Sequence, residues 1–153
     1  MSANADLLLA AYDAWNRDDR EAWLGLLHPE IEIHTSGAFP DLSPVYRGHE
    51  RARRFWEQMR SPWRDFRIEV EGIEEIDDCV VGSIRFRATG VDSGVEVDMR
   101  FASAVRLRDG VATELVNGRT PEDARNAICQ VPVRDLSSAP SKPAASRAAS
   151  RSE

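Results

Sequence analysis

The chain has 153 residues and a net charge of −6, with 42% hydrophobic and 30% charged residues. This length suits one domain with a buried core, and the composition is that of an ordinary globular protein. An acidic chain is a poor electrostatic match for nucleic acid or an anionic membrane, so we expect neither as a partner.

Targeting signals and cysteines point to a cytoplasmic protein. The N-terminal apolar run is interrupted at once by Tyr12 and Asp13, and a basic region is missing before it. Cys79 and Cys129 lack metal-ligand spacing, so we expect two reduced thiols. Residues 136–153 are almost entirely Ser, Ala, Pro and Arg, which predicts a disordered tail after a domain at 1–135.

Helical patterns come first along the chain. A helix is predicted over 5–16, because one face is apolar at positions Leu8, Ala11, Tyr12 and Trp15. Asp18 and Glu21 are spaced as a capping box, which predicts a second short helix ending at Pro29.

A strand, a loop and a third helix are predicted next. Ile31, Ile33 and Thr35 alternate with polar residues, as in a half-buried strand. The following loop at 36–47 carries the aromatics Phe39 and Tyr46. The third helix follows Gly48, and its apolar stripe consists of Ala52, Phe55, Trp56 and Met59.

The second half of the chain predicts long strands. A turn centred on Asp92 and Ser93 sets three apolar pairs opposite each other, namely Ile84 with Phe101, Phe86 with Met99 and Ala88 with Val97. The same register sets Arg87 opposite Asp98 on the other face, as a cross-strand ion pair. Asp109-Gly110 predicts a hairpin into a last strand at 111–119. Thr120-Pro121 then predicts a helix start, with that short helix ending near Cys129.

Three segments carry a family resemblance: AYDAWNRDDREAWLGLLHPEIEIHTSG, YRGHERARRFWEQM and the strand end RLRDG. Together they resemble the SnoaL-like branch of the nuclear transport factor 2-like superfamily. The resemblance implies an α+β fold shaped like a cone, in which a curved antiparallel sheet and three to four helices enclose an apolar pocket. It also implies a homodimer through the outer sheet face. Known functions of the superfamily range from polyketide cyclisation and steroid isomerisation to plain ligand binding, so the fold alone does not choose among them.

Residue matching argues against two chemistries of the superfamily. Ala11, Thr35 and Met99 stand where ketosteroid isomerases keep their catalytic groups, and none of the three can act as acid or base. Limonene epoxide hydrolase-like members use an Asp–Arg–Asp set. Here Asp98 and Arg100 lie on the face opposite the apolar Met99, so we expect surface ion pairs instead.

The alternation of inward and outward residues along the strands, together with the resemblance, predicts which residues contact a ligand. We expect a hydrophobic ligand to contact Tyr12, Trp15, Thr35, Tyr46, Trp56, Met59, Phe86, Met99, Phe101 and Asn117. For any one of these residues, a simple core position is the alternative. Ser103 is explained by packing as well as by function.

Three residues are candidates for catalysis. Arg119 can stabilise negative charge on an oxygen, although a salt bridge to Glu122 or Asp123 explains it equally well. His34 is a candidate general base, but alternation turns it outward unless a bulge intervenes. Asp41 lies in the loop over the expected cavity mouth, where a solvated turn residue is the alternative.

The sequence predicts no metal site and no cofactor, because metal-ligand clusters, glycine-rich phosphate loops and nucleophile elbows are missing. We therefore expect a cofactor-independent enzyme acting on a hydrophobic substrate by cyclisation, isomerisation or hydrolysis. The alternatives are a binding protein without turnover and a dimerisation or partner-interaction module of the same fold.

Overall fold

The computed structural model describes residues 2–35, 38–39, 41–134 and 136. Within them the chain forms four helices and six strands. The first half contains α1 (Ala3–Asn16), α2 (Arg20–Leu24), β1 (Leu27–His34), β2 (Val45–Arg47) and α3 (Gly48–Arg60). The second half contains β3 (Trp63–Ile76), β4 (Cys79–Gly90), β5 (Glu96–Arg108), β6 (Val111–Gly118) and α4 (Pro121–Gln130). The predicted tail lies outside the described residues except for Leu136. No helix of the described part is long and apolar enough to cross a membrane.

One sheet organises the molecule, with its strands in the order β2-β1-β6-β5-β4-β3. Neighbouring strands are antiparallel except β1 and β6, which run parallel. The register predicted for β4 and β5 is confirmed, since Ile84 pairs with Phe101 and Phe86 with Met99. Irregularities interrupt β3 and the pairings of β6, and such bulges bend a sheet. The predicted α+β architecture with a curved sheet is thereby confirmed.

The two sheet faces carry different layers. α1, α2 and α3 cover the inner face, where most of the large apolar side chains are buried in one cluster. Gly82 allows a close approach there, because a Cβ on this residue would lie 2.7 Å from Cδ2 of Leu8. α4 covers part of the outer face, and its residues Ala124 and Ile128 pack on Val81 and Ala104.

α2 and β1 differ from the sequence prediction. The N-cap of α2 is Asp19, which accepts a hydrogen bond from the amide of Ala22, whereas Asp18 has a positive φ of 57° and precedes the cap. α2 ends at Leu24 and Pro29 lies within β1. A proline is tolerated there because the pairing of β1 with β6 is irregular between Leu27 and Glu32, so its missing N–H interrupts no regular ladder.

The cross-strand ion pair on the outer face also differs in its partners. Arg87 stands opposite Asp98 in the register, as predicted, but its guanidinium contacts Glu69 at 2.9 Å. Asp98 accepts two hydrogen bonds from Arg85, at 2.6 and 3.0 Å. A long arginine side chain can reach the diagonal neighbour on the same face, and this contact has replaced the directly opposite one. Arg100 pairs with Glu71, so the expected surface ion pairs of Asp98 and Arg100 are present.

Candidate ligand cavity

A cavity lies between the helices and the inner face of the sheet. The space between its walls amounts to about 600 Å³ with the open end included, and about 40 Å³ of it admits the centre of a water molecule. The cavity is therefore narrow, and a ligand with a ring must displace side chains to enter. Its walls are formed by Leu7, Leu8, Ala11, Tyr12, Trp15, Trp23, Leu27, Phe39, Phe55, Met59, Phe66, Ile68, Phe101, Val105, Ala112, Leu115 and Asn117.

Aromatic rings pack against one another on the helical side of the cavity. Trp15 is at the centre, stacked on Trp56 with ring centroids 4.0 Å apart and in edge contact with Trp23 at 5.2 Å. The guanidinium of Arg60 lies 4.3 Å from the ring centre of Phe66 and donates a hydrogen bond to the carbonyl of Trp15. Cation–π and aromatic contacts of this kind add to the burial of the rings themselves. The more adaptable part of the wall is its half-buried set, which includes Leu7, Ala11, Phe39 and Leu115.

Three polar side chains meet where α1 faces β5 and β6. The hydroxyl of Tyr12 hydrogen-bonds to that of Ser103, and the side-chain amide of Asn117 donates to the Ser103 oxygen over 3.4 Å. Ser103 is fully buried, while Tyr12 and Asn117 also line the cavity. The amide oxygen of Asn117 is buried and lacks a hydrogen-bond partner among the described residues. We refer to Tyr12, Ser103 and Asn117 as the polar trio.

Burial keeps the Tyr12 hydroxyl protonated. It raises the pKa of Tyr12 to about 12, because the phenolate would lose its hydration, and the hydrogen bond with Ser103 opposes this rise only in part. Tyr12 therefore keeps its hydroxyl hydrogen at neutral pH, so it can donate a hydrogen bond but is a poor proton donor. Among the cavity-lining residues of the described chain, His, Asp, Glu, Lys and Arg are absent.

Five of the ten residues expected to contact a ligand lie on the cavity wall: Tyr12, Trp15, Met59, Phe101 and Asn117. The other five lie elsewhere in the described structure. Thr35 is fully buried and donates a hydrogen bond to the carbonyl of Ser43 at 2.5 Å. Tyr46 donates from its hydroxyl to Gln58.

The remaining three belong to the surrounding core. Trp56 is buried behind Trp15, against which it stacks. Phe86 packs edge-on against Phe66, which fills the wall in its place. Met99 is half-buried against the core cluster. Strand alternation correctly placed Phe86 and Met99 on the inner face of the sheet. Phe86 nevertheless does not line the cavity, because the ring of Phe66 on β3 stands in the wall instead.

The three candidate catalytic residues lie away from the cavity wall. His34 contacts Glu32 at 3.2 Å, because the pairing of β1 with β6 is regular from Glu32 to His34 and leaves no bulge to turn its ring inward. Asp41 is exposed. Arg119 is exposed beyond the last residue of β6, and the ion pairs of the described residues do not include it.

Ala11 lines the cavity, although it was not among the residues expected to contact a ligand, and Ser103 lies behind the wall as the partner of Tyr12. Ser103 shares inward parity with Phe101, which was the available signal, but its partner Tyr12 is 91 residues away. Among the described residues, His, Cys, Asp and Glu side chains do not form a group of three or more that can hold a metal ion.

These features define a small α+β domain with a narrow apolar cavity. A sequence profile of the SnoaL-like domain matches residues 8–115, so the chain belongs to the SnoaL-like family. The predicted resemblance is thereby confirmed. No curated protein sequence matches the chain.

Solved structures share the fold at low sequence identity. An NTF2-like protein of unknown function from Burkholderia pseudomallei K96243 is 21% identical, with a TM-score of 0.70 over 82% of this chain and 97% of the other. TerC, co-crystallised with polyporic acid, is 22% identical, with a TM-score of 0.69 over 83% and 98%. RV0760c from Mycobacterium tuberculosis, in complex with estradiol-17beta-hemisuccinate, is 17% identical, with a TM-score of 0.66 over 76% and 93%. At these identities the likeness concerns the fold alone.

Proposed function

We propose that this protein binds a hydrophobic, ring-containing small molecule in the cavity and does not use acid–base catalysis by its wall. The observation that carries the proposal is the composition of that wall. It is aliphatic and aromatic except for the Tyr12 hydroxyl and the Asn117 amide. Pockets of this kind hold apolar ligands, and the few polar groups orient them.

The bound molecules of two structural neighbours agree with a ligand of this class. TerC was co-crystallised with polyporic acid, and RV0760c is in complex with a steroid hemisuccinate. We propose a smaller ligand or an adapting cavity for this chain, because its walls are close together. Movement of half-buried wall residues, such as Phe39, would enlarge the cavity at a lower packing cost than movement of fully buried ones.

A cofactor-independent enzyme is the second candidate, and the observation that favours it is Tyr12. A buried phenol that donates a hydrogen bond can stabilise an oxygen that gains negative charge during a reaction. Such an enzyme also needs a proton carrier. His34, Asp41 and Arg119 all lie away from the wall, so the carrier would have to be the substrate itself or water.

The homodimer expected from the resemblance remains a proposal. α4 covers part of the outer face, and the part formed by β3, β4 and β5 carries the ion pairs of Arg85, Arg87 and Arg100. A second copy would have to meet these charges with its own. Sedimentation velocity of the wild type and of Arg100→Glu tests this arrangement, since a charge reversal within a symmetric interface is introduced twice.

A ligand screen with a matched pair of variants tests the binding proposal. Ala11 lines the cavity, whereas its neighbour Ala10 is exposed on the same helix. Ring-containing hydrophobic compounds should raise the Tm of the wild type and quench the fluorescence of the tryptophan cluster around Trp15. Ala11→Leu should weaken binding by about tenfold or more, because its larger side chain occupies cavity space, and Ala10→Leu should not.

Mass spectrometry of the same incubations separates the two candidates. Recovery of unchanged ligand supports binding, and a converted product supports the enzyme. The cavity would be refuted as the binding site if the wild type bound none of the compounds, or if Ala11→Leu and Ala10→Leu lost equal amounts of affinity.

A further inference from the structure

The polar trio has unused hydrogen-bonding capacity. The contact between Tyr12 and Ser103 consumes one of their two hydroxyl hydrogens, and the other hydroxyl can still donate. The amide oxygen of Asn117 can still accept, because it lacks a partner among the described residues. Turning this amide over exchanges its oxygen and nitrogen and leaves the NH₂ group unpaired instead, so one amide atom remains unpaired in either orientation.

Unpaired polar groups at this depth need an explanation. Asn117 is 4% exposed and Ser103 is 0% exposed, so bulk water does not reach them. A buried polar atom without a partner is costly, and nearly all such atoms in folded proteins are paired with protein or with ordered water. Asn117 also lines the cavity, which means that its partner can come from a molecule inside the cavity.

We propose that Tyr12, Ser103 and Asn117 form a subsite that binds the hydroxyl group of the cavity ligand. A hydroxyl is the smallest group that accepts one hydrogen bond and donates another, which is the pair of functions that the polar trio leaves open. The ligand would then be an alcohol or a phenol whose apolar body faces Phe101 and Trp15. This inference rests on the proposed function, because it assumes that the cavity is the ligand site.

The open donor and acceptor on the wall limit which other ligand groups can replace a hydroxyl. An ether or ketone oxygen can accept from Tyr12 but cannot donate to the amide oxygen of Asn117. A hydrocarbon does neither and leaves both groups desolvated. Discrimination against a ligand that leaves buried polar groups unpaired is stronger than discrimination by shape alone. A trapped water satisfies the same groups, and a hydroxylated ligand then replaces that water while keeping its two hydrogen bonds.

Three probes of similar shape distinguish recognition of a hydroxyl from recognition of an ether oxygen and from purely apolar binding. They are 4-ethylphenol, 4-ethylanisole and 4-ethyltoluene, which carry a hydroxyl, an ether oxygen and a methyl group at the same position. Their Kd values should be measured on the wild type, on Tyr12→Phe and on Asn117→Leu, with Glu96→Gln on the exposed outer face as control. The side-chain amide signals of Asn117 in a nitrogen-15 spectrum provide a second measurement that needs no variant.

We expect the wild type to bind the phenol about tenfold more tightly than the methyl compound, as one well-formed net hydrogen bond allows. The ether should bind more weakly than the phenol. Tyr12→Phe and Asn117→Leu should each reduce the preference to less than about threefold, because the hydroxyl loses a partner and 4-ethyltoluene no longer leaves that polar group desolvated. The phenol, and not 4-ethyltoluene, should shift the Asn117 amide signals. Should Tyr12→Phe fail to fold, Asn117→Leu and the amide signals still decide the question.

The contrary outcomes are distinct. Equal affinities of the three probes for the wild type would overturn the hydroxyl subsite and leave cavity binding intact. A preference for the phenol that survives in both variants would also overturn it, because the hydroxyl would be recognised elsewhere. If none of the probes binds the wild type, and the wider ligand screen also finds no compound, the proposed function fails and the subsite with it.

Discussion

Arg106 on β5 and Glu114 on β6 form a buried ion pair on the sheet face opposite the cavity, with 3.2 Å between Nη1 and Oε1. Arg106 also donates to the carbonyls of Ile128 and Val131 at the end of α4. Glu114 is completely buried and accepts a second guanidinium contact from Arg134 at 2.7 Å. The pair therefore joins the sheet to α4 and to the segment that follows it.

Removing the charge of Glu114 should strongly destabilise the protein. Glu114→Gln leaves the buried guanidinium of Arg106 without its counter-ion, whereas Arg134 keeps its contact with Glu32 at 3.4 Å. Breaking a buried pair typically costs about 3 kcal/mol or more. The free energy of unfolding in urea, followed by circular dichroism, measures this loss. The control is Asp98→Asn, which breaks the exposed pair with Arg85 and should leave the midpoint nearly unchanged. Equal effects of the two substitutions would contradict the structural role of the buried pair.

Gly118 should not tolerate even a methyl group. A Cβ at this position would lie 2.7 Å from the backbone nitrogen of Ala124 and 3.0 Å from its Cα, so α4 would have to move away from β6. Gly118→Ala should cost about 1–3 kcal/mol, as overpacking does. Gly72→Ala is the matched control within a strand, because its Cβ would meet only Ser83, at an ordinary 3.7 Å. A Gly118→Ala protein as stable as Gly72→Ala would show that α4 is not docked as described.

Ionisation of Tyr12 should lower stability at alkaline pH. Its folded pKa of about 12 lies above the ordinary value of 10, so its contribution is complete below about pH 10 and is lost as the pH rises towards 12. The wild type should lose roughly 1–1.5 kcal/mol from this group between about pH 9 and 11. The comparison protein is Tyr12→Phe, which lacks the group, so the difference between the two pH dependences isolates Tyr12. Parallel curves would mean that Tyr12 titrates normally.

Sequence patterns predicted which face of the sheet a residue lies on better than they predicted how deeply it is buried. The register of β4 and β5 followed from alternation, because a slip of one residue would put Phe86 and Phe101 opposite polar or charged residues. The same parity could not show that Phe86 is hidden behind Phe66, since that depends on how far β3 curls over its neighbour. The Tyr12–Ser103 hydrogen bond joins residues 91 positions apart, and their side chains form no local motif.

Helix boundaries and ion-pair partners were predicted less well for a different reason. The cap of α2 moved from Asp18 to Asp19 because both residues can cap, and the turn geometry with a positive φ at Asp18 decides between them. Asp98 similarly had two arginines within reach, Arg87 directly opposite and Arg85 on the diagonal, and it hydrogen-bonds to Arg85. Such choices depend on small energy differences that composition and periodicity do not encode.

The two cysteines should differ sharply in reactivity towards a thiol reagent near pH 8. Cys79 is buried, and burial together with the nearby carboxylate of Asp78 raises its pKa to about 11, so very little thiolate is present. Cys129 is exposed at the end of α4. We expect one thiol per native chain to react quickly and the second only after unfolding, as measured by mass spectrometry of the labelled protein. Cys129→Ser should abolish the fast reaction, and Cys79→Ser should leave it unchanged. Rapid labelling of Cys79 in the native Cys129→Ser protein would show that the start of β4 opens to solvent and that α4 does not keep it covered.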